Sequence, residues 1–471
     1  FDAREWVEIA KAAGMRYMVF TTKHHDGFSM FDSKWTDYKI TSPESPYGRD
    51  VVGQLADACH EAGLKLGFYH SQPDWRHPDY RTENHARYIE YLHGQVTELC
   101  TNYGRVDIIW FDGLGGTAGD WDSHNLFKII RGLQPEVIIN NRAGLPADHD
   151  TPEQRIGNFQ NDRPWETCMT ICRQWAWKPN DIMKSEKECI QTLVRVVGGD
   201  GNLLFNVGPM PDGRIEPRQV DRLMEMGQWL DQYGQTIYGT RGGPFKTTAS
   251  LASNYQGNIV YVHVLEWPDG AITLPPLPKR IVRSSILTGG SVTVRQTAEA
   301  ITIVVPEGDR DPIDTIVALT LDGPAADIEP VALPSASLAA GKKARASNVF
   351  QNSDAYGPDK AFDDDPGTRW ATDSGIKQAW LEVDLGQSET ISRVAISEAY
   401  SRVRRFELQY ADDGTWTTFF AGERIGEKFA ADFEPVTTQR VRLNILEATD
   451  GPTIWEFQLL APKKTPLVVT P

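Results

Sequence analysis

The chain has 471 residues, enough for two to four domains that each bury a core, and its 24% charged and 40% hydrophobic residues are an ordinary globular balance. A net charge of −16 and a pI near 5.1 argue against nucleic acid and against anionic membrane surfaces. No run of about 20 apolar residues is present, so no transmembrane helix is expected.

The five cysteines, Cys59, Cys100, Cys168, Cys172 and Cys189, are odd in number and lack framework spacing. Cys168 and Cys172 have no second ligand pair for zinc, so all five read as small apolar residues. Most of the 14 tryptophans read as core filler. A tryptophan can also stack on the apolar face of a sugar ring, so that role stays open for some.

The chain opens without a Met, at Phe1-Asp2, where Asp2 is a plausible N-cap. Trp6, Ile9, Ala10 and Ala13 then give a helical stripe ending at Gly14. To about residue 240, short apolar strands alternate with amphipathic helices, the pattern of βαβ units. Strands are predicted at 15–22, 65–70, 106–111, 137–140 and 203–207, with a weaker one near 167–171. Helices are predicted at 50–63, 83–102, 123–133, 184–197 and 216–233. Six strands are two short of a closed (β/α) barrel. The glycine-rich turn Gly198–Asn202 precedes a strand and opens no helix, so it is no phosphate cradle.

From 241 to 322 the period switches to two, with short strands at 258–264, 270–274, 291–295, 300–305 and 315–319, which predicts a small antiparallel β-sandwich. Residues 323–342 are rich in Ala, Pro and Ser and read as a linker. A second all-β segment covers 343–462, and the last residues read as a frayed tail. The fold class is therefore multidomain: an incomplete TIM-like (β/α) barrel over 1–240 and two β-sandwiches.

Strand ends carry the chemistry. The run Val106-Asp107-Ile108-Ile109-Trp110-Phe111-Asp112-Gly113 is an apolar strand ended by an acid. Other strands run into Lys23-His24-His25-Asp26-Gly27-Phe28, Tyr69-His70-Ser71 and Asn140-Asn141-Arg142. In a (β/α) barrel such strand ends build the active site. A strand-terminal Asp can instead cap the next helix, but its ring-rich, polar neighbours favour a site. Adjacent histidines could bind a metal, yet no third ligand stands at a recognisable spacing, so hydrogen bonding to a polyol is the better reading. Glu153, in His149-Asp150-Thr151-Pro152-Glu153-Gln154-Arg155, and Glu166, in Arg163-Pro164-Trp165-Glu166, each offer a second carboxylate, as glycoside cleavage needs. Either could equally be a surface group.

These motifs, with Trp165-Glu166-Thr167-Cys168 and the run from Gly201 to Gly213, make residues 1–240 resemble glycoside hydrolase family 29, the retaining α-L-fucosidases. The resemblance implies Asp112 as the nucleophile. It implies His24, His25, Tyr69, Trp110 and Arg142 as contacts to the fucose ring, and Trp175 as an aromatic that meets the sugar. It implies Glu153 as the acid/base, with Glu166 in reserve. Members of the family carry two further βα units ahead of this chain's first residue, with another pocket His and a Glu-Trp pair. The expectation is therefore a fragment of a longer product, or an incomplete barrel with weak turnover.

Residues 343–462 resemble the discoidin-type fold of coagulation-factor type C domains and carbohydrate-binding module family 32, through the run Ala361–Trp370, the run Trp380–Gly386 and Trp455-Glu456-Phe457. The resemblance implies a structural Ca²⁺ held by Asp363, Asp365, Thr368 and Glu456, oxygen donors that suit a hard ion. An acidic turn without an ion is the plainer alternative.

Together the resemblances imply an exo-α-L-fucosidase acting on fucosylated oligosaccharides or glycoproteins, needing no cofactor for catalysis, and secreted or periplasmic. The acid must stay protonated beside an ionised nucleophile, so Glu153 is expected either to sit in the less polar environment or to be raised by Asp112. The rivals are a glycan-binding protein with impaired catalysis and a related retaining glycosidase acting on a galactoside-like sugar.

Overall fold

The computed structural model describes residues 1–462 apart from 158, 269, 366 and 413, so Pro366 of the acidic turn and the tail from 463 lie outside the described residues. Two compact units emerge, Phe1–Trp267 with Ala271–Val331, and Pro268–Gly270 with residues 332–471.

The first unit begins with α1 (Ala3–Ala12), capped by the Asp2 carboxylate on the N–H groups of Arg4 and Glu5. Then follow β1 (Tyr17–Lys23), α2 (Val51–Ala62), β2 (Lys65–His70), α3 (His85–Asn102), β3 (Ile108–Phe111), α4 (Ser123–Leu133) and β4 (Ile138–Ile139). The order continues with β5 (Glu166–Thr170), α5 (Glu186–Gly198), β6 (Asn202–Asn206) and α6 (Pro217–Tyr233). The helix limits follow local chemistry. Gly63 adopts φ 68° just past α2, a left-handed stop. Ser185 and Glu188 form a reciprocal capping box at α5, and Pro217 opens α6.

β1 to β4 are parallel neighbours in that order, and β5 pairs with β6. The two groups are joined by the segment that carries Glu153. Residues 148–154 run parallel between them, bridging Asn140 to His149, Asp150 to Trp165 and Glu153 to Cys168. Asp148 N–H donates to Ile139 O at 2.9 Å and Cys168 N–H to Pro152 O at 3.1 Å. The six expected strands thus sit in an arc with a seventh, irregular member. Among the described residues the outer edges of β1 and β6 have no strand partner.

β3 is buried on both faces. Ile109 and Phe111 enter the large core under α1–α4, while Ile108 and Trp110 pack inward with Cys168, Val19, Tyr69 and Leu204. Strand alternation then carries Asp112 inward with Trp110.

Residues 241–321 form two antiparallel sheets within the first unit. One holds β7 (Arg241–Gly242), β8 (Leu251–Gln256), β9 (Ile259–Val264), β11 (Ile281–Ile286) and β14 (Thr315–Leu321). The other holds β10 (Ile272–Leu274), β12 (Thr293–Gln296) and β13 (Ile301–Val304). The predicted linker 323–342 is divided rather than free. Ala325 N–H bonds Gly257 O and Phe245 bridges Val331 in the first unit, while Leu338 N–H bonds Leu459 O and Ala339 is fully buried in the second.

The second unit is a seven-stranded antiparallel assembly of β15 (Lys343–Ala346), β16 (Trp370–Ala371), β17 (Ala379–Glu398), β18 (Val403–Asp412), β19 (Thr415–Gly422), β20 (Phe429–Ala448) and β21 (Thr453–Leu460). Its core is its own, built around Trp370, Leu381, Phe406, Leu443 and Phe457.

Candidate active site

Asp112 stands one residue beyond β3 and lines a cavity of about 1960 Å³ that extends from the strand ends along β1 and β6 to α1 and α6. Its Oδ2 accepts from Tyr69 Oη at 2.8 Å, and its Oδ1 from Arg142 Nη1 at 3.3 Å. The same Arg142 Nη1 lies 2.7 Å from Glu153 Oε2. One guanidinium nitrogen therefore joins the two carboxylates, whose nearest oxygens can be no farther apart than these two distances laid end to end. Arg142 is itself fixed by Nε to Thr151 Oγ1 at 3.0 Å and Nη2 to Thr151 O at 3.1 Å, and it lies over the Trp110 ring at 4.6 Å. Gly113 makes this approach possible. A Cβ there would stand 2.5 Å from Arg142 O.

A run of rings forms one wall. Trp110 stacks on Tyr69 at 5.5 Å, Tyr69 on His24 at 5.7 Å with only 7° between planes, and His24 lies 4.1 Å from His25. Both adjacent histidines reach the cavity because the β1–β2 register shifts between Thr21 and Lys23, breaking strict alternation before them. His25 Nε2 faces Asp112 Oδ2 at 3.6 Å. Ser71 Oγ donates to Pro73 O at 2.6 Å, so it accepts from His25 Nδ1–H, also at 2.6 Å. That leaves Nε2 as an acceptor toward the cavity. Burial and the neighbouring His24 hold His25 below its ordinary pKa against the pull of Asp112, consistent with a neutral ring.

Sequence reasoning missed the parts that hold this set. Asn140 clamps the backbone of Phe111, next to Asp112. Lys23, fully buried, has its Nζ 3.6 Å from Asp74 Oδ2, and burial lowers it to about 8. Both residues sit in motifs quoted for other members, and their charge or amide character in a strand end was the available signal.

The two candidate acids occupy opposite surroundings. The Glu153 side chain is 42% exposed, lines the cavity and pairs with a cation, which rules against the first of its two expected settings, the less polar one. Glu166 is the buried one, and burial raises its pKa although Tyr17 Oη and Trp110 Nε1 donate to it at 2.5 and 3.0 Å. Glu166 does not line the cavity. Trp175, 41% exposed, lines the same cavity, its carbonyl accepting from Asn206 Nδ2 at 2.8 Å. The five cysteines are free thiols, all buried.

In the second unit, Asp363 accepts from Thr368 Oγ1 at 2.7 Å and from Asp365 N–H at 3.1 Å. Both oxygens of Glu456 are buried, and burial together with Asp364, Asp363 and Asp365 pushes its carboxyl up to about 8. The sequence-predicted ligands thus feel one another. Among the described residues, however, no group of three or more His, Cys, Asp or Glu is placed to hold a metal ion. Nor, among them, is any helix long and apolar enough to cross a membrane.

Residues 1–235 match the sequence family described as alpha-L-fucosidase, and residues 343–457 match the F5/8 type C domain. An α-L-fucosidase isoenzyme from Paenibacillus thiaminolyticus is 36% identical with a TM-score of 0.64, the match covering 68% of this chain and 87% of that one. A family 29 α-L-fucosidase from Bacteroides thetaiotaomicron, solved as a trapped covalent intermediate with 2-fluoro-fucosyl fluoride, is 28% identical with a TM-score of 0.63 and coverages of 69% and 82%. The tissue α-L-fucosidases of Homo sapiens and Macaca fascicularis are each 30% identical over 295 residues, 58% of this chain. The match spans 63% of the length of those curated relatives.

Proposed function

The chain belongs to the α-L-fucosidase family, glycoside hydrolase family 29, and we propose that it is a retaining exo-α-L-fucosidase acting on fucosylated glycans. The observation that carries the reading is the single Arg142 Nη1 shared by Asp112 and Glu153. It keeps the two carboxylates close to each other, as a nucleophile and an acid/base acting on one anomeric carbon ask.

In the proposed reaction Asp112 Oδ attacks the anomeric carbon while Glu153 gives its proton to the departing glycosidic oxygen. The C–O bond to the aglycone breaks and a fucosyl ester of Asp112 forms. Glu153 then takes a proton from water, whose oxygen displaces the Asp112 carboxylate and releases fucose with retained configuration. Glu153 suits both halves because it lines the cavity and is open to solvent. Glu166 is enclosed and its oxygens are engaged by Tyr17 and Trp110, which favours a role in orienting Trp110. His25 Nε2 accepts from a sugar hydroxyl, Arg142 donates to another, and Trp175 supplies an apolar surface for the C6 methyl. Each step is completed by side chains alone, so the chemistry calls for no cofactor.

The incomplete (β/α) barrel of residues 1–240 is proposed as the catalytic domain. The 343–462 unit is proposed as a discoidin-type module with a structural Ca²⁺ at Asp363, Asp365, Thr368 and Glu456. The support is the oxygen-only donor set and the raised Glu456, whose crowding by three acids a divalent cation would relieve.

The deciding experiment is Asp112→Gly on an aryl α-L-fucoside. Turnover should fall by several orders of magnitude in a folded protein, and added azide should restore release and yield a fucosyl azide. Near-normal kcat in this variant would remove Asp112 from the reaction.

A further inference from the structure

We propose that Trp75 is a platform for the leaving group: the hexopyranose that carries the fucose stacks on its indole, so Trp75 sets specificity from outside the fucose pocket. The inference rests on the fucosidase reading. Trp75 is 67% exposed, more than any other large apolar side chain among the described residues. Tryptophan is highly buried on average, so an indole this open offers an unusually broad apolar face for contact.

The backbone that presents the indole is held firmly. Trp75 N–H donates to His25 O at 2.8 Å, and its ring lies 5.1 Å from the His25 ring. The preceding Asp74, 2% exposed, accepts from the N–H groups of Arg76 and His77 at 3.0 Å each. The turn that presents Trp75 is therefore fixed at its base, so little order is lost when a ligand settles on it.

Position gives the ligand class. His25 faces Asp112 at 3.6 Å and lines the cavity, whereas Trp75 leans on His25 and does not line the cavity. An exo-acting pocket encloses one sugar ring. A flat aromatic against the outer side of its wall meets what that ring is attached to. An indole presents a negative π-face, and a pyranose offers it a face of C–H groups. Beside it the Arg76 guanidinium lies 4.1 Å over the ring of Tyr38, itself 36% exposed, which extends the rim for a second sugar.

The test compares α-L-fucosyl fluoride, whose leaving group is a single atom, with a panel of fucosyl-galactose and fucosyl-N-acetylglucosamine disaccharides of different linkage. For Trp75→Ala, the ratio of kcat/KM on the best disaccharide to kcat/KM on the fluoride should fall at least tenfold, mainly through KM. Trp75→Phe should keep the ratio within about threefold, because a smaller ring still stacks. An unchanged ratio, or an equal fall on both substrates, would overturn the platform. So would an unmodified protein that hydrolyses the fluoride but no disaccharide of the panel. An unmodified protein inert to the fluoride as well would bring down the fucosidase reading and this inference with it.

Discussion

Asn140 grips the backbone of Phe111 from both sides, its Oδ1 accepting the Phe111 N–H at 2.8 Å and its Nδ2 donating to the Phe111 carbonyl at 2.9 Å. One buried amide thus replaces two ladder hydrogen bonds just where β3 and β4 stop pairing. It fixes the residue from which Asp112 projects.

Asn140→Ala should therefore lower kcat on an aryl fucoside by on the order of 10–100-fold while KM moves little, because the loss is of alignment at the nucleophile. Steady-state kinetics beside a thermal melt checks this. A fall in kcat matched by wholesale unfolding would reduce Asn140 to a structural amide.

Glu153→Ala should slow substrates with poor leaving groups far more than activated aryl fucosides, since only the former need a proton on departure. Glu166→Ala should slow both alike, through the loosened Trp110. A series of aryl leaving groups of graded pKa reads this directly, and selectivity in the Glu166 variant instead would move the acid/base role there.

Lys23→Met should destabilise the first unit by about 3–5 kcal/mol at neutral pH, as removal of one partner leaves Asp74 buried without its counter-charge. The pH dependence has a fixed sign. Lys23 is lowered from 10.5 to about 8 in the folded state, so between those values the unfolded chain binds more protons and stability rises with pH. The variant lacks that rise. Urea titrations at pH 8 and pH 10 should show the gap widening in favour of the unmodified protein, and parallel curves would contradict the assignment.

Millimolar Ca²⁺ should raise the melting temperature of the second unit over that in chelator, because an ion bound only by the native state stabilises it by about 2.7 kcal/mol at a hundredfold excess over Kd. Glu456→Gln should remove most of the difference. Identical melts in Ca²⁺ and chelator would dismiss the ion.

Where periodicity governs, the chain was readable. β2 appears at its predicted limits, and α4 likewise, because an apolar run or an amphipathic stripe specifies each. Residues 148–154 were not readable as a strand. His149-Asp150-Thr151-Pro152-Glu153-Gln154 has neither alternation nor an apolar run, and it is held by neighbours on both sides rather than by its own propensity. The linker was half legible for a similar reason. Its Ala and Pro content says nothing of Ala339, which is buried in the core of the second unit, or of Leu338, whose N–H bonds Leu459 O. In the site, strand-end motifs pointed to Asp112, the histidines and Arg142. The surroundings of Glu153 and Glu166 were not legible, because exposure depends on which element packs above each carboxylate.

The guanidinium between Asp112 and Glu153 also makes the proposed catalytic pair one mechanical unit. Arg142 is anchored to Thr151 through Nε and Nη2, so the strand end that carries Asp112 and the segment that carries Glu153 are spaced by one planar group as well as by backbone. A substitution that shortens this spacer would shift both carboxylates at once, and its cost would not add to those of substitutions at Asp112 or Glu153.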